Sequence, residues 1–203
     1  MSGNDHLVDS LVADGVLHTP AIINAFRAID RADFVSPETT EAAYMDVALP
    51  TLSGQTISQP YTVAVMLELL QPRPGNTVLD VGFGSGWQSA LLAHIVRSSG
   101  HVVVLEIVLE LCEWGRKNIE AYNYIGAGIV EVHCMSASKG YSKGAPFDRI
   151  IAAAAGIAIP MVWRDQLKIN GRIVAPVGTD IVQLTKSSQS KWQEQRYPGF
   201  VFV

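Results

Sequence analysis

Thr77-Val78-Leu79-Asp80-Val81-Gly82-Phe83-Gly84-Ser85-Gly86-Trp87 decides how this chain is read. The apolar run from Thr77 to Val81 carries an aspartate near its end, and three glycines follow at every second position. An apolar, helix-forming segment comes next, from Gln88 to Val96. That order reads as strand, tight turn, helix. A glycine turn lets the backbone approach a ligand closely and aims the first helical N–H groups at it. The dinucleotide fingerprint G-x-G-x-x-G accepts Gly82 and Gly84, but its third position is Trp87, where close helix–strand packing needs glycine. The pattern is G-x-G-x-G, which speaks against a nicotinamide dehydrogenase.

Outward from this turn the chain alternates. Strand 77–81 leads to helix 87–96, and strand 101–106 to helix 108–122. Strand 129–134 runs into a loop through Pro146, and strand 147–152 into a short helix after Pro160. Strands are expected at 171–176 and 180–186, with a last one near Phe200 to Val203. Strands separated by helices imply right-handed crossovers and a mainly parallel sheet. The short links between the late strands imply an antiparallel edge. The expected class is α/β, a doubly wound Rossmann-like sheet with an N-terminal helical segment. Ligands of such sheets sit beyond the carboxyl ends of the strands, where Asp80, Glu106 and Ser136 fall. Glu106, about 20 residues past the glycine turn, is placed to accept hydrogen bonds from a ribose diol. Asp80 either holds the turn by accepting backbone N–H groups or faces the ligand; the two roles are compatible.

Toward the N-terminus, Leu7, Val8, Leu11 and Val12 recur at helical spacing until Gly15. Thr19-Pro20 opens a second helix with Ile22, Ile23, Phe26 and Ile29 on its apolar stripe. Ser36-Pro37-Glu38 begins another short helix through Ala43. Residues 44–60 lack periodicity and read as a surface loop. Helix 61–70 follows, with Val63, Met66, Leu67 and Leu70 as core. Residues 1–60 are too few for an independent core and are expected to pack on residues 61–203, giving one structural domain.

The whole-chain properties narrow the class. With 203 residues and a hydrophobic share of 48%, the chain suits one well-buried α/β domain. A net charge of -4 argues against nucleic acid as partner. Cys112 and Cys134 are far apart with no C-x-x-C, so neither a zinc site nor a disulfide is expected, and a reducing compartment follows. Asp5, Asp9 and Asp14 without a basic region exclude a signal peptide. The longest apolar tract, residues 150–163, is interrupted by Gly156 and Pro160 and is too short to cross a bilayer. A cytoplasmic monomer is the expectation. None of the five histidines has metal-ligand spacing or a hydrolase motif. Ser58, just before Gln59-Pro60, reads equally as a helix cap and as a catalytic hydroxyl.

Three runs carry a family resemblance: Tyr44-x-Asp46-x-Ala48-Leu49-Pro50, Gly54-Gln55-Thr56-Ile57-Ser58-Gln59-Pro60, and Val78 through Gln88. With Gly140-Tyr141, Gly171-Arg172-Ile173-Val174 and Gln183-x-x-Lys186, they resemble protein-L-isoaspartate (D-aspartate) O-methyltransferases. The glycine turn after an acidic residue is similar to the S-adenosylmethionine loop of class I methyltransferases in general. The resemblance implies S-adenosyl-L-methionine as cofactor, with S-adenosyl-L-homocysteine as product. It implies methylation of the free carboxylate of L-isoaspartyl and D-aspartyl residues in damaged proteins, followed by succinimide formation. By the same analogy Ser58 is the active serine. Asp80, Gly82, Gly84, Ser85, Gly86, Trp87, Glu106 and Ser136 would surround the cofactor. Ala48, Leu49, Pro50, Gln55, Thr56 and Gln183 would meet the substrate. The family usually carries Gly-Asp-Gly after the third sheet strand, with its Asp on the adenine amino group; Met135-Ser136-Ala137 stands here. Two other readings keep the fold: a carboxyl methyltransferase for one dedicated peptide, and a binding protein without catalysis.

Overall fold

The structure is a computed structural model and describes residues 2–202. Helix α1 (Gly3–Ala13) starts in a capping box, in which the Asp5 N–H donates to Ser2 Oγ over 3.1 Å and the Ser2 N–H to Asp5 Oδ2 over 3.0 Å. Helix α2 (Pro20–Ala28) has proline in its first turn. Leu7, Val8, Leu11, Ile22 and Phe26 are buried, whereas Val12 turns outward. Two 3-10 turns, Arg31–Phe34 and Pro37–Ala42, lead to a small hairpin. Its strands are β1 (Leu49–Pro50) and β2 (Thr56–Ile57), with Leu49 opposite Ile57 and both buried. The segment expected to be a loop is therefore anchored by one inward pair. Two residues per strand are too few to show a period in sequence.

Helix α3 (Pro60–Leu70) precedes the large sheet. The order continues as β3 (Thr77–Val81), α4 (Trp87–Val96), β4 (His101–Glu106), α5 (Leu109–Glu120), β5 (Val130–Cys134) and β6 (Phe147–Ala152). Helix α6 (Met161–Asp165), β7 (Leu167–Val177), β8 (Asp180–Lys186) and β9 (Trp192–Pro198) complete it. The seven strands lie in the order β5-β4-β3-β6-β7-β8-β9, parallel from β5 to β7 and antiparallel at β8 and β9. The chain steps from β3 outward to β5 and then crosses to β6 on the other side of β3. The strand order reverses there, which opens a crevice at the carboxyl ends.

Alternate strand residues feed two cores. Val78, Val102, Val104, Ile151 and Val174 pack with α1 to α5, and Leu79, Val103, Leu105, Ile150 and Ile173 pack with Trp163 of α6. The final strand differs from expectation. It occupies Trp192–Pro198, where Gln193 to Arg196 are all exposed, so an edge strand of this polarity shows no hydrophobic alternation. Phe200 to Phe202 form no strand, and Val203 lies outside the described residues.

The cysteines also correct the sequence reading. Cys112 in α5 and Cys134 at the end of β5 form a disulfide, with Cα atoms 5.6 Å apart. The right-handed β4–α5–β5 crossover lays the helix back on the strand it leads to, and this closes a gap of 22 residues that spacing alone left open. The argument for a reducing compartment, which rested on unpaired cysteines, goes with it.

Beneath the glycine turn, Asp80 is wholly buried. Its carboxyl accepts from Gln88 Nε2 over 2.8 Å and from Ser89 Oγ over 2.6 Å, both on the first turn of α4. It thus ties strand to helix through side-chain donors, where the sequence leaves open backbone N–H groups or the ligand as its partners. Burial pushes its pKa up to about 6, against the pull of the two hydrogen bonds.

Two outcomes are expected. Under non-reducing conditions the denatured protein should show no titratable thiol, and reduction should lower the unfolding free energy by about 3 kcal/mol, as for a closed loop of this length. Free thiols in the untreated protein would refute the pairing. For Asp80, the folded state holds the proton more tightly than the unfolded chain does. Its stabilising contribution is therefore full below pH 4 and lost as pH rises through about 6. Urea unfolding of wild type and Asp80→Asn at pH 4.5 and 7 should show the wild type losing ground to the variant as pH rises, by about 2 kcal/mol. A difference that stays constant with pH would mean the carboxyl titrates normally.

Candidate active site

After Val81 the chain turns through Gly82, Gly84 and Gly86 at φ of 72°, 50° and 88°. At Gly86 a Cβ would lie 2.8 Å from Ile119 Cγ1, so glycine lets α4 pack against α5. At Gly84 nothing lies within 4 Å of where a Cβ would stand. That side of the turn faces a cleft of about 500 Å³.

Glu106, at the end of β4, closes the turn from the side. Its Oε2 accepts the Gly84 N–H over 3.1 Å and its Oε1 the Val108 N–H over 3.0 Å. Bonds from N–H groups to an ionised carboxylate are the stronger kind. Each oxygen keeps acceptor capacity for a further donor. The side chain is 6% exposed and lines the cleft. No other ionisable side chain does so among the described residues.

One wall continues from Glu106 through Ile107, Val108 and Leu111, and another is Met135, Ser136 and Ala137. Ala153 and Ala154, just past β6, stand beside Gly82. The remaining lining comes from Ala48, Gln55, Thr56, Ser58, Gln59 and Thr62, with Val201 and Phe202 from the other end of the chain. Ser136 Oγ accepts the Ser138 N–H over 3.2 Å and caps the 3-10 turn Ala137–Lys139.

Of the residues singled out by sequence, the fold brings Ala48, Gln55, Thr56, Ser58, Gly82, Gly84, Glu106 and Ser136 to this one cleft. The capping role considered for Ser58 is not seen. The N-cap of α3 is Gln59, and Asp46 Oδ1 accepts the Tyr61 N–H over 2.7 Å.

Other singled-out residues do not line the cleft. Asp80 lies beneath the turn, as described above. The Ser85 carbonyl accepts from Asn118 Nδ2 over 2.9 Å. Trp87 is buried behind the turn, edge-on to Phe26 at 5.4 Å. Leu49 points into the core and Pro50 outward. Gln183 Nε2 donates to the Leu69 carbonyl over 2.6 Å at the carboxyl end of α3, a contact that belongs to the core and not to the cleft.

The sequence reading missed the apolar lining. Ile107 is 71% exposed and Met135 40%, each one residue past a strand end. A large exposed apolar residue directly after a parallel strand was the available signal. No cluster of three or more His, Cys, Asp or Glu side chains suited to a metal ion occurs among the described residues. No helix among them is long and apolar enough to cross a membrane.

Known proteins match this architecture along its length. A Staphylothermus marinus protein-L-isoaspartate O-methyltransferase is 41% identical over 182 residues, covering 87% of this chain and 80% of its own length. The Aeropyrum pernix enzyme of the same name is 41% identical over 201 residues, covering 97% of this chain and 76% of its own. A Plasmodium falciparum crystal structure assigned to that activity, in complex with S-adenosyl-L-homocysteine, superposes with a TM-score of 0.88. It is 22% identical and covers 100% of this chain and 98% of its own, so its likeness speaks to the fold. A second solved protein-L-isoaspartate O-methyltransferase gives a TM-score of 0.84 at 25% identity, over 98% of this chain and 65% of its own. The profile of the protein-L-isoaspartate(D-aspartate) O-methyltransferase family matches residues 1–203, and the chain belongs to that family.

Proposed function

We propose that this cleft transfers a methyl group from S-adenosyl-L-methionine to the free carboxylate of an L-isoaspartyl or D-aspartyl residue in a damaged protein, with Ser58 beside the acceptor and Glu106 on the ribose. The observation that carries the reading is that these two residues, 48 positions apart, line one cleft in which Glu106 is the sole ionisable side chain among the described residues.

The residues present fit the cofactor. A cleft of about 500 Å³ falls within the range of small-molecule sites. Glu106 has acceptor capacity left for a ribose diol, Gly84 leaves the turn open to the ligand, and Ile107, Leu111, Met135 and Ala137 offer apolar contact to a flat ring. Bound there, the cofactor supplies an electrophilic methyl group on a positively charged sulfur.

The acceptor asks little of the protein. A carboxylate with a pKa near 4 is already ionised at neutral pH, so no general base is needed. What remains is to align the acceptor oxygen and to keep water out. The Ser58 hydroxyl can donate to one carboxylate oxygen, and Gln55, Thr56 and Ala48 shape the space around it. No lysine or arginine among the described residues lines the cleft. A fixed cation there would hold the ground-state carboxylate without helping the transfer.

The substrate class is protein. The net charge of -4 supports this over nucleic acid. We further propose a monomer. A cytoplasmic setting remains our reading, and the Cys112–Cys134 disulfide restricts it to a cytoplasm that keeps disulfides, as in hyperthermophiles.

Labelled cofactor should methylate an isoaspartyl peptide and not its aspartyl twin. Ser58→Ala should lower kcat by about ten- to a hundredfold while leaving cofactor affinity and thermal stability close to wild type. Unchanged turnover would remove Ser58 from the reaction. Glu106→Ala should weaken S-adenosyl-L-methionine binding by about 1.5–3 kcal/mol, the loss of hydrogen bonds to a charged group. Calorimetry showing wild-type affinity in that variant would take Glu106 out of the site.

A further inference from the structure

Arg31 is the largest charged side chain in the interior, with no exposed surface. Its partners are all main-chain carbonyls. Nη1 donates to Ala43 over 2.8 Å and to Met45 over 3.1 Å, and Nη2 donates to Val47 over 2.9 Å and to Ser58 over 3.1 Å. Its Nε–H has no partner among the described residues. Burial lowers its pKa to about 10, so the group stays charged at neutral pH. The guanidinium carbon also lies 5.3 Å from the centroid of the Trp87 ring, at the first residue after the glycine turn. Arg31 therefore bonds the Ser58 carbonyl on one side of the cleft and rests on Trp87, which lies behind the other, without lining the cleft itself.

Four of its five N–H groups end on the segment that carries Ala48 and Ser58 into the cleft. A buried charge that loses its hydrogen-bond partners is strongly unfavourable. The 43–47 stretch and the Ser58 carbonyl can move away only by stranding that charge. Trp87 supplies the fixed reference, since it is buried behind the turn and packed on Phe26. Asp46 ties the same loop to α3 from the other side, through the Tyr61 N–H and Gln59 Nε2. A lysine could reach no more than part of this set, because its donors radiate from a single nitrogen.

We infer that Arg31 is the positioning residue of the methyl acceptor: its guanidinium sets the Ser58 loop against the cofactor turn by binding four carbonyls of that loop while resting on Trp87. This rests on the reading of Ser58 and its neighbours as the acceptor side. It leaves cofactor binding to Glu106 and the glycine turn, which hang on β3 and β4 and do not touch Arg31.

The test compares Arg31→Lys and Arg31→Met with wild type, alone and in the Ser58→Ala background. An isoaspartyl peptide serves as acceptor and S-adenosyl-L-homocysteine as calorimetric ligand. Arg31→Lys should lower kcat/KM for the peptide by about tenfold and Arg31→Met by about a hundredfold, the scale of a misplacement near 1 Å. Affinity for S-adenosyl-L-homocysteine should stay within about twofold. In the Ser58→Ala background the loss in kcat from Arg31→Lys should shrink, because the two act through one group. If Arg31→Met does not fold, Arg31→Lys carries the comparison, normalised to folded protein. A lower melting temperature with wild-type kcat/KM per folded molecule would overturn the proposal and leave Arg31 a packing residue. So would a loss of cofactor affinity as large as the loss for peptide. If Ser58→Ala alone changes nothing, the reading of Ser58 fails, while the effect of Arg31→Lys on the peptide still decides the role of Arg31.

Discussion

A wholly buried carboxyl group holds the glycine turn of this protein in place. Asp80 lies under the turn between β3 and α4, and the two donors that satisfy it, Gln88 and Ser89, both belong to α4. The helix therefore cannot swing away from the strand without stranding that group. Glu106 then takes the Gly84 N–H from the neighbouring strand. Between these carboxylates the backbone runs through left-handed positions that glycine alone adopts easily. Glu106 faces the cleft beside backbone and apolar side chains such as Ile107 and Leu111, and Asp80 sits beneath the turn.

The wall that carries Ser58 uses the same device with the opposite sign. Arg31 gathers the carbonyls of a loop that has only one short hairpin of regular structure. The N-terminal helices support it from behind, since Leu7, Ile22 and Phe26 belong to the same core as Val78, Ala90 and Val104. Residues ahead of α3 thus gain their order from the sheet domain. A loop fixed in this way can present small polar groups such as Thr56 and Ser58 without the entropy loss of ordering them at each encounter.

The disulfide adds a constraint to the wall between these halves. It joins α5, which carries Leu111, to the last residue of β5, after which Met135 and Ser136 enter the cleft. Ser136 stands in this wall. Its hydroxyl is engaged in capping the turn Ala137–Lys139, so its first hydrogen bond is local.

The sheet class, the glycine turn and the family were legible in the sequence. They depend on local patterns: apolar runs of strand length, glycine at alternate positions, a proline at a helix start, and the run from Gly54 to Pro60. Glu106 was legible for the same reason, because a parallel strand of known length ends at a known place. Tertiary structure decided the rest. Cys112 meets Cys134 only because a crossover helix folds back on its strand. Gln183 pairs with Leu69, 114 residues away, and so belongs to the core. Asp80 is satisfied by side chains a strand-to-helix turn brings above it. Arg31 sits in an ordinary polar stretch, Asp30-Arg31-Ala32-Asp33, and nothing local marks it. Its role exists because four carbonyls from 12 to 27 residues away converge on one guanidinium, and convergence in space leaves no period in the sequence.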